Sequence, residues 1–308
     1  MDYQNKPLVA INCCTYNQEQ YIAQCLEGFI QQKTSFPFFA IVHDDASTDR
    51  TADIIREYEK KYPNIIKPII EKENQFSKGC LNGVMCKAIL KTGAKYVAYC
   101  EGDDYWTDSC KLQKQVDFLE SHLDYSMCFH TAILHWEDSR EPDKPFVRIE
   151  DRDYSGEEIF RTWIVATASV VHRMEVLQSD IYKEAFSNIK LIYGDIRLFL
   201  SCAHYGKVYG MSDTMSVYRK QPGGVVYNYN VERQKKQAFH NLEIYKVFGQ
   251  KYKRLSLDKF AQDAIETFMN LRGEGVYDYK LLFSIFKYTP ISFFSFFCTQ
   301  FRKKIKKW

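Results

Sequence analysis

Tyr96-Val97-Ala98-Tyr99-Cys100-Glu101-Gly102-Asp103-Asp104-Tyr105-Trp106 is a short apolar, aromatic run that ends abruptly in three carboxylates around one glycine. Such a run makes a buried strand. Leu112, Val116 and Leu119 then recur at helical spacing, so a helix follows the acidic turn. Open α/β sheets hold ligands outside the carboxyl ends of their parallel strands, which makes this turn a candidate binding edge. Capping the next helix would need a single Asp. Packing Glu101, Asp103 and Asp104 together adds a repulsion that a hard divalent cation would relieve, and such cations commonly accompany phosphates.

Upstream, Leu8–Cys13 reads as a first strand that breaks at Thr15-Tyr16-Asn17. Tyr21, Ile22, Cys25, Leu26, Phe29 and Ile30 then keep a helical stripe, and Asn17 with Gln20 suggests a capping box. Phe38–His43 is a second strand ending in Asp44-Asp45. Ser47, Thr48 and Asp49 open a helix bearing Ile54, Ile55 and Tyr58 that stops at Pro63. Ile65–Ile70 is a third strand, and Pro68 argues for a sheet edge. A helix near Val84–Leu90 leads back to the acidic strand. Strands alternating with helices mean βαβ units and a largely parallel sheet. No Gly-x-Gly-x-x-Gly or Walker loop stands at any junction, but three successive strand ends are polar and together outline a pocket.

Downstream, periodicity weakens from Met127 to about Arg173, where short strands and loops are expected, with a second capping box at Ser155–Glu158. Gly194-Asp195 precedes a helix carrying Ile196, Phe199, Leu200 and Ala203. The strand-like run Lys207–Tyr218 closes on Arg219, and Pro222-Gly223-Gly224 is a turn. These features divide the chain into a domain over 1–225, with halves at 1–126 and 127–225, and a helical extension over 226–308.

The 308 residues suffice for a full core. The net charge is +3, yet Arg302, Lys303, Lys304, Lys306 and Lys307 alone exceed it, so the rest is net acidic and offers no basic field for nucleic acid. The ten cysteines form no Cys-x-x-Cys pair, and Cys25, Cys100, Cys128 and Cys202 sit in apolar runs as small hydrophobes. With no recognisable signal peptide at the N-terminus, free thiols in a reducing cytoplasm are expected.

The succession Thr15-Tyr16-Asn17, Asp44-Asp45-x-Ser47-x-Asp49, Asp103-Asp104-x-Trp106 and Gly194-Asp195 resembles the family 2 glycosyltransferases of the GT-A fold, over roughly residues 5–225. The resemblance implies a Rossmann-like, mostly parallel sheet flanked by helices. It implies a nucleotide pocket lined by Thr15, Tyr16 and Asn17, a base held by Asp44 or Asp45, and a ribose held by Asp103. Asp104 would bind Mg²⁺ or Mn²⁺ on the diphosphate, and Asp195 matches the catalytic base. Ala166-Thr167-Ala168-Ser169 resembles the acceptor-side wall. Two positions depart from the family: Glu101 replaces a common Asp, and Gln221 stands where a His is often found.

The function expected is therefore an inverting, metal-assisted transfer from a nucleotide-diphosphate sugar, a UDP-sugar by preference, to a glycan or lipid-linked acceptor in a bacterium. Chemically, a divalent cation stabilises the departing diphosphate, and a carboxylate on the opposite side of the sugar takes the proton of the attacking hydroxyl. The competing readings are a sugar-nucleotidyltransferase, whose Gly-rich, Lys/Arg-bearing loop is missing after the first strand, and an inactive nucleotide- or carbohydrate-binding module. At the C-terminus, the apolar runs Leu281–Phe286 and Ile291–Cys298 are interrupted by Lys287 and Pro290, short of the roughly 20 residues of a membrane span. The basic cluster and Trp308 that follow suit peripheral attachment to the anionic inner face of the plasma membrane.

Overall fold

The computed structural model describes residues 6–79, 81–221 and 230–305. Its first half runs β1 (Val9–Thr15), α1 (Ile22–Ile30), β2 (Phe38–Asp44), α2 (Thr51–Lys61), β3 (Ile66–Ile70), α3 (Leu81–Thr92) and β4 (Tyr96–Tyr99), in the order the periodicity predicts. β1 pairs in parallel with β2 on one side and β4 on the other, and β2 pairs in parallel with β3. β3 lies at the sheet edge, where Pro68 can lack an N–H without breaking a ladder.

The chain continues through β5 (Tyr105–Trp106), α4 (Lys111–Ser121), β6 (Tyr125–Trp136), β7 (Lys144–Pro145), β8 (Arg152–Asp153), α5 (Gly156–Thr162) and β9 (Val171–Arg173). After α6 (Glu175–Gln178), α7 (Asp180–Ser187) and α8 (Gly194–Tyr205) it ends in β10 (Lys207–Lys220). The strand order is β3-β2-β1-β4-β9-β6-β10-β5. β9 is antiparallel to both its neighbours, while β6 and β10 run parallel, so the sheet is a parallel half joined to a mixed half.

Two expectations need correction. Met127–Arg173 is not made only of short strands, because β6 spans 12 residues and pairs along most of β10. The run Met127–Leu134 is buried at seven of its eight positions, so the period-2 signal of a half-exposed strand is absent. Nor does Asn17 cap α1. The N-cap is Tyr21, with no side-chain hydrogen bond, and Asn17 turns elsewhere. The box at Ser155 forms as expected, the Ser155 hydroxyl accepting from Glu158 N–H and the Glu158 carboxylate from Ser155 N–H.

The chain divides into two compact units, Met1–Tyr182 with Leu198–Pro222, and Lys183–Arg197 with Gly223–Trp308. The first is centred on the sheet. Val9, Ile11 and Cys13 of β1 and Ala98 of β4 pack with Leu26 and Phe29 of α1 and with Leu112, Val116 and Leu119 of α4, all fully buried or nearly so. Among the described cysteines none is bridged; Cys13 and Cys100 each approach Cys25, at 4.0 and 3.9 Å, inside this core.

The second unit holds α9 (Val231–Phe248), α10 (Lys253–Gly273), α11 (Tyr279–Tyr288) and α12 (Pro290–Ile305). Ala238, Leu242, Phe260, Ala264, Phe268, Leu281 and Ile285 form its core. Asn230 caps α9 at Arg233 N–H, and Asp278 caps α11 at Leu281 N–H. Tyr193 Oη donates to Gln237 Oε1 at 2.9 Å, tying the segment before α8 to α9. The turn expected at Pro222-Gly223-Gly224 lies outside the described residues. Among the described residues no helix is long and apolar enough to cross a membrane.

Candidate functional site

Register brings the polar strand ends together. Thr15 sits opposite Asp44, and Asn12 opposite Tyr99, so β1, β2 and β4 finish along one sheet edge. Backbone hydrogen bonds then cross between the loops: Asp45 N–H donates to Thr15 O at 3.0 Å, and Gly102 N–H donates to Cys14 O at 2.9 Å. The approach at Gly102 leaves no room for a side chain. A Cβ there would lie 2.5 Å from Gln18 Oε1 and 2.6 Å from Thr15 Cβ.

The loop after β1 is fastened to the loop after β2. Asn17 takes a left-handed φ of 50°, a conformation Asn tolerates better than most residues. Its Oδ1 accepts from Thr48 N–H at 2.8 Å and its N–H donates to Ser47 Oγ at 2.9 Å. Gln18 N–H donates to Thr51 Oγ1, and Glu19 N–H to Asp49 Oδ2. Ser47 and Asp49 of the sequence motif thus shape the rim, leaving Tyr16 and Asn17 exposed on it and Thr15 buried.

Asp44 and Asp45 are both buried. Asp45 spends both carboxylate oxygens on backbone donors, Gln75 N–H at 2.6 Å and Phe76 N–H at 3.0 Å. Asp44 Oδ2 accepts from Ser47 N–H, and its Oδ1 is buried without a partner. Of the two, Asp44 keeps hydrogen-bonding capacity to spare.

In the acidic turn Glu101 is exposed, Asp103 half-buried and Asp104 only 2% exposed. Asp104 Oδ1 accepts from Arg219 N–H at 2.9 Å, while Oδ2 is buried with no partner. Burial pushes the Asp104 carboxyl well above its usual range, and the charges of Asp103 and Glu101 push it further. Asp103 Oδ2 accepts from Gln221 Nε2 at 2.9 Å, so the residue standing where a His is often found reaches the same carboxylate. Among the described residues no group of three His, Cys, Asp or Glu side chains is arranged to hold a metal by itself.

Trp106, nearly fully buried, links the turn to the expected acceptor wall. Its indole N–H donates to Ala168 O at 2.9 Å, and Gln115 Nε2 donates to Ser169 O at 2.9 Å. Asp195 stands half-buried in the first turn of α8, where its Oδ1 accepts from its neighbour Ile196 N–H at 2.8 Å.

Sequence reasoning gave Arg219 no role. Its Nε donates to Asp103 O at 2.7 Å, its Nη2 to Gln24 Oε1 at 2.6 Å, and its Nη1 pairs with Glu137. The guanidinium also lies over the rings of Tyr21 and Tyr105, 4.7 and 5.1 Å from their centroids. The available signal was its position near the end of a strand run, between Tyr218 and Lys220. Its partners are 82 to 195 positions away in sequence, and no local pattern records such pairings.

Fold and site together define the GT-A class, an α/β domain with acidic and polar loops gathered beyond the ends of its parallel strands. Residues 11–186 match the family described as glycosyl transferase family 2, and the chain belongs to that family. An uncharacterized protein of Mycobacterium tuberculosis is 36% identical over 228 residues, or 74% of this chain; the matched region spans 63% of that relative's length. The Bacillus subtilis protein named as a teichuronic acid biosynthesis glycosyltransferase, TuaG, is 29% identical over 70% of this chain and 79% of its own. In fold, the chain resembles S. aureus TarS 1-349 in complex with UDP-GlcNAc, with a TM-score of 0.60 and 17% identity over 83% of this chain and 71% of TarS. It also resembles the mannosyltransferase PcManGT from Pyrobaculum calidifontis in complex with GDP-Man and Mn²⁺, with a TM-score of 0.55 and 13% identity over 98% and 81% of the two chains.

Proposed function

We propose that the protein transfers a sugar from a nucleoside-diphosphate donor to a hydroxyl of a glycan or lipid-linked acceptor, with inversion at the anomeric carbon. The observation that carries this reading is the convergence of three strand-end loops on one acidic turn, locked by the Asp45–Thr15 and Gly102–Cys14 backbone bonds. UDP, UDP-GlcNAc and GDP-Man in the neighbours support a nucleotide-sugar donor, and a UDP-hexose or UDP-N-acetylhexosamine is the preferred class. Tyr16 and Asn17 would line the nucleotide pocket above buried Thr15. Asp44, with its unpartnered oxygen, is better suited to the base than Asp45.

The acidic turn fits a divalent cation, because three neighbouring carboxylates include a buried oxygen with no partner. When bound, Mg²⁺ or Mn²⁺ compensates the charge of the departing diphosphate. The unpartnered oxygen is Asp104 Oδ2, so Asp104 is the carboxylate that would meet the cation, whose charge would favour its ionised form, and Asp103 would hold the ribose. Asp195 would accept the proton from the attacking hydroxyl. Ala166–Ser169, anchored on Trp106 and Gln115, would border the acceptor.

UDP titration with and without Mn²⁺ tests the cation. Asp104→Asn is expected to abolish metal-dependent binding and Asp103→Asn to weaken it less; the opposite ranking moves the cation to Asp103. Asp195→Asn is expected to keep UDP affinity and lose turnover by at least about a hundredfold. Retained turnover, or a product that keeps the donor's anomeric configuration, would remove Asp195 from the reaction. The C-terminal helices add a proposed peripheral contact with the inner, anionic membrane surface, supported by exposed aromatic side chains on α11 and α12 and by the basic cluster that follows in sequence.

A further inference from the structure

Within the first unit a cleft of 230 Å³ lies between the strap leading to β8 and α5. Arg148, Arg152 and Arg161 line it, with Val147 and Ile164 as apolar walls. The strap is fixed on both sides of Arg148, since Phe146 N–H donates to Ala132 O at 2.8 Å and Ile149 N–H to Thr131 Oγ1 at 3.0 Å. Tyr154, buried, forms the floor and holds the strap again through its hydroxyl, which accepts from Glu150 N–H at 2.9 Å.

The cleft's two carboxylates are already engaged. Glu158 Oε1 accepts from Arg152 Nη1 at 3.0 Å while its other oxygen closes the capping box, and Glu150 Oε2 accepts from Arg152 Nε at 3.3 Å. Arg152 itself stacks over Tyr154, 3.8 Å from the ring centroid. Arg148 and Arg161 have no carboxylate partner among the described residues, and both are exposed at the cleft. Two unpaired guanidiniums on a fixed rim, in a chain that is net acidic apart from its C-terminal basic cluster, form a local site for an oxyanion.

We propose that this cleft binds an anionic sugar unit, carrying a carboxylate or a phosphate, of the acceptor glycan. The inference rests on the glycosyltransferase reading and specifies its acceptor. Two features favour a saccharide over a larger anion. The volume falls below the roughly 300–1,000 Å³ of ordinary ligand pockets and suits a single sugar residue. The wall at Ile164 also stands two residues ahead in sequence of Ala166–Ser169, the proposed acceptor border, whose Ala168 and Ser169 carbonyls receive Trp106 and Gln115. Guanidinium forks would take the oxyanion, and the apolar walls and the Tyr154 floor would take the sugar ring.

The test is calorimetric titration of the full chain with three oligomers of matched length: oligoglucuronate, oligo(glycerol phosphate) and neutral oligoglucose. The expected result is binding of at least one charged oligomer, at least about tenfold tighter than the neutral one, and lost about tenfold in the double variant Arg148→Ala, Arg161→Ala. Which charged oligomer binds identifies the source of the oxyanion. Equal binding of charged and neutral oligomers, no binding of either charged one, or unchanged binding by the double variant overturns the proposal. Thermal unfolding of the variant establishes that it is folded. UDP titration, run in parallel, reports on the donor reading separately, so failure of one is told from failure of the other.

Discussion

The backbone N–H of Arg219 donates to Asp104 Oδ1 at 2.9 Å, which joins the end of β10 to the turn after β4 across 115 positions of sequence. The same residue's guanidinium reaches Asp103 O, Glu137 and Gln24. One residue therefore holds the acidic turn from two sides, by a backbone bond that any substitution but proline can keep and a side-chain fork that only Arg supplies.

Arg219→Lys separates these contributions. The backbone bond to Asp104 stays, while an ammonium cannot span the three acceptors, at a cost of about 1.5–3 kcal/mol for lost charge-assisted bonds. The expected outcome is a Tm lower by several degrees and a raised KM for the donor. A variant with wild-type Tm and wild-type UDP affinity would show that the fork does not set the turn.

The acidic turn was legible because its signal is local: an apolar run, three acids and a glycine lie in consecutive positions. The order of β1 to β4 was legible for the same reason, since each strand is a short apolar run closed by polar residues and each helix between them carries its own stripe. β6 was not, because a strand covered on both faces shows no alternation. The fate of Asn17 was hidden too. A side chain oxygen three residues before Gln20 satisfies the capping pattern, yet the Thr48 N–H offered a partner 31 positions away. The Asp45 carboxylate, taken up by Gln75 and Phe76, escaped notice likewise.

Gly102→Ala tests the close packing of the three loops. The added Cβ would press on Gln18 Oε1 and on Thr15, whose Cβ and Oγ1 sit 2.6 and 2.7 Å away, and Thr15 is buried and cannot yield freely. Overpacking of this kind costs about 1–3 kcal/mol. Since the strain falls where Thr15 and the acidic turn meet, donor affinity is expected to fall along with Tm. Unaltered affinity in UDP titration would place the nucleotide away from this junction.

Lys111 gives a pH prediction. It is fully buried, donates from Nζ to Gln115 Oε1 at 2.8 Å and stands 4.2 Å over the Trp106 ring, and burial lowers its pKa to about 7. Between that value and the ordinary 10.5 the unfolded chain holds a proton that the folded chain lacks, so this residue's contribution to stability rises with pH across the window. Lys111→Met removes that rise. It also leaves Gln115 Oε1 without this donor, a pH-independent cost of about 1–3 kcal/mol. The wild-type Tm, measured relative to the variant, is therefore expected to climb from pH 7 to pH 10. A difference that stays constant over that range would mean that Lys111 keeps an ordinary pKa.

Leu281 and Ile285 are buried in the helical core, and Phe293 and Phe296 pack partly against it. Phe283, Phe286, Ile291 and Phe294 are instead 65, 44, 85 and 57% exposed, an apolar surface just ahead of the basic residues from Arg302 onward. Deleting the segment would also remove Leu281 and Ile285 from the core, so substitution on the exposed surface is the cleaner test. Each aromatic side chain buried at a headgroup boundary contributes on the order of 1.5–3 kcal/mol, and each basic residue near an anionic surface on the order of 1 kcal/mol. Phe283→Ser, Phe286→Ser and Phe294→Ser combined are expected to reduce sedimentation with phosphatidylglycerol vesicles at least tenfold while leaving the circular dichroism spectrum unchanged. Phosphatidylcholine vesicles should retain little of even the wild-type protein, because the lysines find no counter-charge there. Equal sedimentation of wild type and variant, or binding to neither vesicle, would remove the membrane role and leave this surface without a lipid partner.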